Sequence, residues 1–571
     1  MLRADARGIV VFSVKGVDAL KQPFSGLKRS DHLRAMAEKE LDLLVIGGGI
    51  TGAGIALDAR TRGLSVGLVE MQDFAAGTSS RSTKLVHGGL RYLKQLEIGL
   101  VAEVGKERAI VYENGPHVTT PEWMLLPVIE GGTFGRTGIS IGLFVYDRLA
   151  GVKKEERRRM LSPEETLQRE PLLRKEGLKG AGLYVEYRTD DARLTLEVLK
   201  EAVKRGALAA NYAKAENLLY RDGKVAGAEV VDTLTGESHR IYAKKVVNAT
   251  GPWVDELREK DGSKTGKTIQ WSKGIHIVTD QKHFPLRHAV YFDAPDGRMV
   301  FAIPRDGKTY IGTTDTEYHG DLARPRMSAE DRDYLLRAVN GMFPSVRLTA
   351  DQIESGWAGI RPLIREEGKP TTEISRKDEI FLSKTGLITI AGGKLTGYRK
   401  MAQRVVDRVC AELAEEGAGP FGPCVTERIP LSGGDFGGSD RFPAFVEEKA
   451  REGTGLGLDE REAQQLVRRY GTNIDKVFGL IASRGKEAEA YGLPPSLYAT
   501  LIYAVEEEMA ATPADFWVRR TGDLFFDIQR VKRWKEPVLA CMRDVCGWDE
   551  ETCSRRRADL DRCIQEATEF V

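Results

Sequence analysis

Three glycines, Gly47, Gly49 and Gly52, stand at the spacing G-x-G-x-x-G within Gly47-Gly48-Gly49-Ile50-Thr51-Gly52. Residues of this kind can hold the pyrophosphate of a dinucleotide. Gly47 permits a tight turn. Gly49 has no Cβ, so a phosphate can approach the backbone where a helix beginning at Ile50 and Thr51 offers unpaired N–H groups and a favourable dipole. Gly52 lets that helix pack close to the preceding strand. Glu70 follows Gly52 by 18 residues, where a carboxylate would accept the ribose hydroxyls. An acid rather than an arginine at this position argues against a 2′-phosphate, and so against NADP.

Three further segments extend the binding chemistry beyond one nucleotide. The run from Gly77 to Tyr92 is dense in hydroxyls and glycines, with Thr78, Ser79, Ser80, Thr83, Lys84, Leu85, His87, Gly88 and Gly89 as cofactor-binding candidates. Asn248-Ala249-Thr250-Gly251, followed by Trp253, carries small residues that let the backbone pass close to an adenine half. Ile390-Ala391-Gly392-Gly393-Lys394-Leu395-Thr396 reads as strand, glycines, helix, and its helix start suits the polar pyrimidine edge of a flavin. NAD alone does not account for all three, so FAD is the expected cofactor. The six cysteines all lie at or after Cys410, which leaves none in the first 400 residues for a thioether link, so a cysteinyl flavin is not expected. Removal of a proton from an alcohol or amine calls for a base, and His276 and His87 are the candidates. His276 lies in an alternating apolar stretch, where a structural histidine is an equal reading.

The elements that would position these residues can be read from periodicity. Leu41–Ile46 predicts a buried parallel strand, 50–62 a helix ended by Gly63, and 64–70 a second strand, together one βαβ unit. The pattern predicts a helix over 192–205 closed by Gly206, then strands at 209–213, 217–221 and 224–232 with the Asp222-Gly223 hairpin turn. A buried strand at 242–248 returns the chain to the cofactor. Strand signals at 291–293, 299–304 and 310–314 belong to a substrate-side sheet. Leu497, Leu501, Val505 and Met509 recur at intervals of four on one helix face, and Thr512-Pro513-Ala514-Asp515 is a helix-start signal.

The expected class is α/β: a discontinuous Rossmann-type FAD-binding domain, an interleaved mixed-sheet substrate domain and an all-helical C-terminal domain. The expected boundaries are an N-terminal extension at 1–40, an oxidoreductase region at 41–425 and helices at 426–571. Within the region, 41–118, 190–254 and 352–425 form the FAD core, and 119–189 and 255–351 form the substrate side. The chain has 571 residues, with 85 Lys and Arg against 84 Asp and Glu, a balance that gives no support for bulk nucleic-acid binding. The cysteines lack paired C-x-x-C spacing, so neither a zinc site nor a disulfide framework is expected. No run reaches the ~18 apolar residues of a spanning helix. The apolar run 8–14 has no cleavage site after it, so a cytoplasmic chain is expected, with the inner membrane face as a resting surface.

The motifs together resemble the FAD-dependent, aerobic-type glycerol-3-phosphate dehydrogenase family of D-amino-acid-oxidase-like flavoproteins. The resemblance rests on 44–54, on 78–94 with its His-Gly-Gly-Leu-Arg-Tyr string, on 248–253, on Gly359-Ile360-Arg361-Pro362-Leu363 and on Gly392–Arg399. The string Asp515–Asp523 extends it into the tail. It implies oxidation of sn-glycerol 3-phosphate to dihydroxyacetone phosphate, with hydride passing to flavin N5 and electrons then to a membrane quinone. It also places Arg91, Arg361 and Lys394 at the reacting face as phosphate ligands, with Arg361 in addition a cofactor contact and a stabiliser of the developing alkoxide, Tyr92 a hydroxyl donor, and His276 favoured as the base. Peripheral membrane association follows from the quinone role, and a homodimer is an allowed assembly. The rival readings are a glycerol-3-phosphate oxidase using oxygen, an amine or amino-acid oxidase, and a flavin-binding scaffold without turnover.

Overall fold

The computed structural model describes residues 2–4, 10–12, 23–87, 98–132, 135, 138–140, 142–143, 156–366, 368 and 377–571. Gly88, Gly89, Arg91 and Tyr92 therefore lie outside the described residues. Among the described residues, two large sheets organise the chain up to Ala391, and Leu2–Ala4 and Val10–Phe12 form a separate two-stranded pair.

Among the described residues the first sheet has eight strands. Its order runs Ala213–Arg221, Lys224–Asp232, Ser238–Asn248, Leu41–Ile46, Val66–Val69 and Leu208–Ala210. Ile388–Ala391 joins Ser238–Asn248 in parallel, and Glu379–Leu382 pairs antiparallel beyond it. Leu41–Ile46 and Val66–Val69 are parallel and nearly wholly buried, as an apolar run requires when helices cover both faces. One such helix is Ile50–Thr61, a residue shorter than expected; another is Asp191–Lys204, capped by the Asp190 carboxylate accepting the Arg193 N–H at 3.0 Å. Ser238–Asn248 is longer than the predicted return strand because its first half also pairs with Lys224–Asp232 in a hairpin.

The second sheet has ten strands and contains Thr119–Ile129, Leu178–Thr189, Lys267–Asp280, Ala289–Asp293, Met299–Arg305 and Lys308–Gly312. Ile353–Glu366 is hydrogen-bonded along Lys267–Asp280 and so belongs to this sheet, whereas the expected boundary at 352 gives it to the FAD core. Leu85–Val86 pairs with Leu178–Thr189 at this sheet's other end. The chain therefore crosses between sheets more often than composition suggests.

Part of the expected N-terminal extension, from Pro23 onward, packs on the first sheet. Helix Arg29–Glu38 buries Leu33 and Met36 completely, and Arg29 makes a buried ion pair with Asp232 and donates to Asn211 O at 3.0 Å. The expected helix start at 512–515 is present, with Thr512 as its cap, and after one turn the helix continues as a π-helical segment, Phe516–Arg520, that ends before left-handed Gly522. The helical tail from Phe442 onward docks on Asp191–Lys204 through the Arg193–Glu508 ion pair and through Lys200, which reaches Glu508 at 3.1 Å and Tyr503 at 2.9 Å.

Candidate active site

Two clefts adjoin at the junction of the sheets, with cavity volumes of about 250 and 310 Å³, far beyond a single water's needs. They share Thr78, Ser82, Pro362, Gly393, Lys394 and Leu395, so they form one continuous groove.

The first cleft lies past the carboxyl ends of the parallel strands, where open α/β sheets bind ligands. Gly47 follows Leu41–Ile46, Glu70 follows Val66–Val69, Ala249 follows Ser238–Asn248 and Gly392 follows Ile388–Ala391. Gly47 has φ +116°, and a Cβ there would lie 2.4 Å from Ala249 O. A Cβ on Gly52 would lie 1.9 Å from Gly47 O, which no rotamer can relieve. Gly49, Ile50 and Thr51 line the cleft at the start of Ile50–Thr61, and the Ile50 N–H donates to Ser79 Oγ at 3.0 Å. Polar atoms thus already converge where anionic oxygens would be stabilised. Glu70 lines the same cleft and accepts the Gly48 N–H at 2.7 Å and the Gln72 N–H at 2.8 Å. Burial pushes its carboxyl up against those two hydrogen bonds. Thr250, Gly251 and Trp253 complete the wall, Thr250 Oγ1 donating to Asn248 Oδ1 at 2.7 Å. These residues fit a dinucleotide: a glycine turn that side chains would fill, a helix N-terminus, a carboxylate and a small-residue wall.

The second cleft brings together His276, Arg361, His87 and Lys394, which come from four separate segments. Register places His276 opposite both Gly312 and Trp357. A Cβ on Gly312 would lie 2.1 Å from the imidazole, so the glycine is what leaves room for the ring. The ring stacks on Trp357 with centroids 4.8 Å apart and an 11° tilt. His276 Nε2 and Thr83 Oγ1 share a hydrogen bond of 3.0 Å, while Nδ1 has no hydrogen-bond partner among the described residues. Arg361 Nη2 donates to Thr313 Oγ1 at 2.8 Å and Thr314 O at 3.1 Å, and Nη1 lies 3.4 Å from Asp315 Oδ1. Gly274 makes this possible, because a Cβ there would strike Nη2 at 2.2 Å. The Arg361 side chain remains 29% exposed, so its hydrogen bonds hold it without sealing it from a ligand.

Some expected cofactor ligands stand elsewhere. Lys84 is buried in an ion pair with Asp191 Oδ1 at 2.6 Å, donates to Ser80 O at 3.0 Å, and lies over the Trp357 ring. Ser80 is buried with its hydroxyl unpartnered among the described residues, and neither residue is on the wall of either cleft. Thr83 faces His276, Leu85 and Thr396 line the second cleft, and Thr396 Oγ1 donates to His87 O at 3.2 Å. Thr313, Gly274 and Trp357 escaped the sequence reading. The polar run Thr313-Thr314-Asp315 at a strand end was their one local signal.

Electrostatics separates the two histidines from ordinary ones. Burial, then the Arg361 and Lys84 charges, hold His276 well below the usual imidazole range. Burial, then Lys394 and Arg108, lower His87 to about 3. A third buried histidine, His117, is lowered to about 3 by burial and by Lys200 and Arg193. All three are neutral in the native state at pH 7. Below the unfolded value of about 6.5 the unfolded chain binds these protons and the native chain does not, so stability falls as pH falls. Each group costs about 1.4 kcal/mol at one pH unit below that value. The unfolding midpoint should drop steadily from pH 7 to 5 by more than carboxylate titration explains, and replacing His117 with Gln should flatten the slope. An unchanged slope would contradict the assignment.

A family model described as FAD dependent oxidoreductase matches residues 42–399, and one described as the C-terminal domain of alpha-glycerophosphate oxidase matches 424–553. The chain is 61% identical over 548 residues to an aerobic glycerol-3-phosphate dehydrogenase of Bacillus subtilis, covering 96% of this chain and 99% of that one. It is 56% identical to the protein of the same name in Staphylococcus aureus, covering 95% and 98%. Among solved structures, a glycerol-3-phosphate dehydrogenase from Bacillus halodurans complexed with FAD superimposes with a TM-score of 0.84 at 55% identity, covering 96% of this chain and 99% of that one. An FAD-bound L-alpha-glycerophosphate oxidase from Mycoplasma pneumoniae shares the fold, with a TM-score of 0.53 at 20% identity over 65% of this chain and 95% of that one.

Proposed function

The chain belongs to the FAD-dependent oxidoreductase family, in its aerobic glycerol-3-phosphate dehydrogenase branch, and from that membership we propose that it oxidises sn-glycerol 3-phosphate to dihydroxyacetone phosphate and passes the electrons to a membrane quinone. One observation carries the reading. A continuous groove has a dinucleotide-type glycine turn at one end and, at the other, Arg361 and Lys394 beside a neutral buried histidine.

The cofactor is FAD, held non-covalently by Gly47, Gly49, Ile50, Thr51, Glu70, Ala249–Trp253 and Gly392–Thr396; when bound it supplies N5 as the acceptor of the hydride leaving carbon. The remaining chemistry belongs to the chain. A phosphomonoester carries close to two negative charges, and Arg361 and Lys394 provide a fork and a point charge to meet them. Arg91 and Tyr92, outside the described residues, complete the phosphate cage in this reading. His276 accepts the proton of the reacting hydroxyl, a task its neutral state permits. Thr83 and Trp357 hold its ring, so little orientation is lost on the way to reaction. Arg361, hydrogen-bonded to Thr313, also offsets charge developing on the alcohol oxygen.

No helix among the described residues is long and apolar enough to cross a membrane. Contact with the quinone pool is therefore proposed to be peripheral. Anaerobic mixing of the yellow protein with glycerol 3-phosphate should bleach the flavin band, and glycine, sarcosine and D-amino acids should not. Reoxidation by a soluble quinone should outpace reoxidation by oxygen. Rapid stoichiometric peroxide formation in air would favour an oxidase, and no bleaching by glycerol 3-phosphate would refute the substrate.

A further inference from the structure

The tail segment Asp515–Asp523 takes no part in the chemistry above, yet both of its arginines are buried, Arg520 almost completely. Both reach one carboxylate, Asp73. Arg520 Nη1 donates to Asp73 Oδ2 at 2.7 Å and Nη2 to Oδ1 at 2.9 Å. Arg519 Nε also donates to Oδ2, and Asn211 Nδ2 donates to Oδ1 at 2.9 Å. Each oxygen of a fully buried carboxylate thus accepts two hydrogen bonds. Burial opposes ionisation of Asp73, and the Arg520 and Arg519 charges override it and hold the group well below the usual carboxylate range.

Asp73 sits in the segment 70–76 that leads from the second parallel strand to Gly77. That segment grips the glycine turn from both sides of Asp73. Before it, Glu70 accepts the Gly48 N–H at 2.7 Å; after it, the Ala75 N–H donates to Gly48 O at 3.0 Å. Between them the Phe74 ring lies 2.8 Å from where a Gly48 Cβ would be. The peptide groups flanking Gly48 are therefore fixed by residues two or three positions from Asp73, and its neighbours Gly47 and Gly49 line the first cleft. A buried carboxylate stripped of its cations must either take up a proton or move toward water. In moving it would carry Glu70 and Ala75, and with them the turn.

We infer that Arg519 and Arg520 of the C-terminal helical domain are positioning residues for the dinucleotide turn, so that docking of this domain sets the affinity for FAD. The Asp73–Arg519–Arg520 cluster is the physical link. It gives the two buried arginines of the tail a role: the carboxylate they neutralise is part of the cofactor loop. The inference rests on reading the first cleft as the site of the FAD nucleotide half.

The test is titration of FAD-free protein with FAD, following quenching of flavin fluorescence. Arg519→Lys and Arg520→Lys keep the charge and lose the forked geometry. Each should raise the Kd for FAD about tenfold or more while the circular dichroism stays that of the unaltered protein. A folded variant whose Kd stays within about twofold of the unaltered value overturns the inference. A second measurement needs no substitution. Coupling is reciprocal, so FAD binding should slow amide hydrogen exchange over 512–523 as well as at Gly48 and Gln72. Exchange over 512–523 that is indifferent to FAD also overturns it. Unaltered protein that binds no FAD at all would instead bring down the reading of the cleft, and this inference with it.

Discussion

Arg361→Ala should lower kcat/KM for glycerol 3-phosphate about 10³-fold, the loss typical of removing a preorganised donor from a charge-developing centre. The guanidinium is already aimed before substrate arrives: Thr313 Oγ1, Thr314 O, Ser272 Oγ and Asp315 all lie within 3.4 Å of it. Nothing has to reorganise when charge appears, which is why its removal should be felt in the transition state and not in binding alone. Arg361→Lys should recover only part of the loss, because an ammonium cannot satisfy Thr313 and a phosphate or alkoxide oxygen with the same planar fork. Flavin content should be unchanged, since the first cleft is reached by the neighbouring Pro362 while Arg361 itself lines only the second. Steady-state kinetics on flavin-replete protein checks this. A kcat/KM within about tenfold of the unaltered enzyme would remove Arg361 from the reacting centre.

The contrast between Arg361 and Lys84 shows what a sequence can disclose. Both are cations within glycine-rich or hydroxyl-rich runs, and composition treats them alike. The difference is Asp191, 107 positions from Lys84, which captures that ammonium at 2.6 Å behind the cleft wall. Long-range partners of this kind leave no local trace. The glycine turn was legible for the opposite reason. Its constraints are a positive φ at Gly47 and close approach at Gly52, both set within a few residues of the turn. The pairing of Ile353–Glu366 could not be read locally, because a strand carries no mark of its partner, and only the register with Lys267–Asp280 shows it. The same register produces the His276 site. Gly312 and Trp357, 36 and 81 residues away in sequence, become its neighbours only when three strands align. Read alone, a histidine among alternating apolar residues looked as much structural as catalytic, and the structure shows it is packed like a core residue while facing the cleft.

That double character makes His276→Ala the sharper test of chemistry. Loss of a positioned base should slow flavin reduction by glycerol 3-phosphate about 10² to 10⁴-fold, with a much smaller change in substrate affinity. The pH dependence separates its role from that of the substrate. His276 is held below the ordinary imidazole range by burial, Arg361 and Lys84, so in the free enzyme it stays neutral and competent through pH 6. The phosphate of the substrate loses its second proton near pH 6. A limb near pH 6 in kcat/KM should therefore belong to the phosphate and persist in Thr83→Val. In the bound complex the phosphate dianion opposes the Arg361 charge and moves the imidazole back up, so kcat should show an acid limb at higher pH than the imidazole of the free enzyme. Thr83→Val, which removes the 3.0 Å partner of Nε2, should lower kcat and shift that limb, and Thr83→Ser should restore both. Stopped-flow reduction of His276→Ala at a rate within about tenfold of the unaltered enzyme would assign the proton to another group. His87 would then be the next to test, since it lines the same cleft and is neutral for the same physical reason.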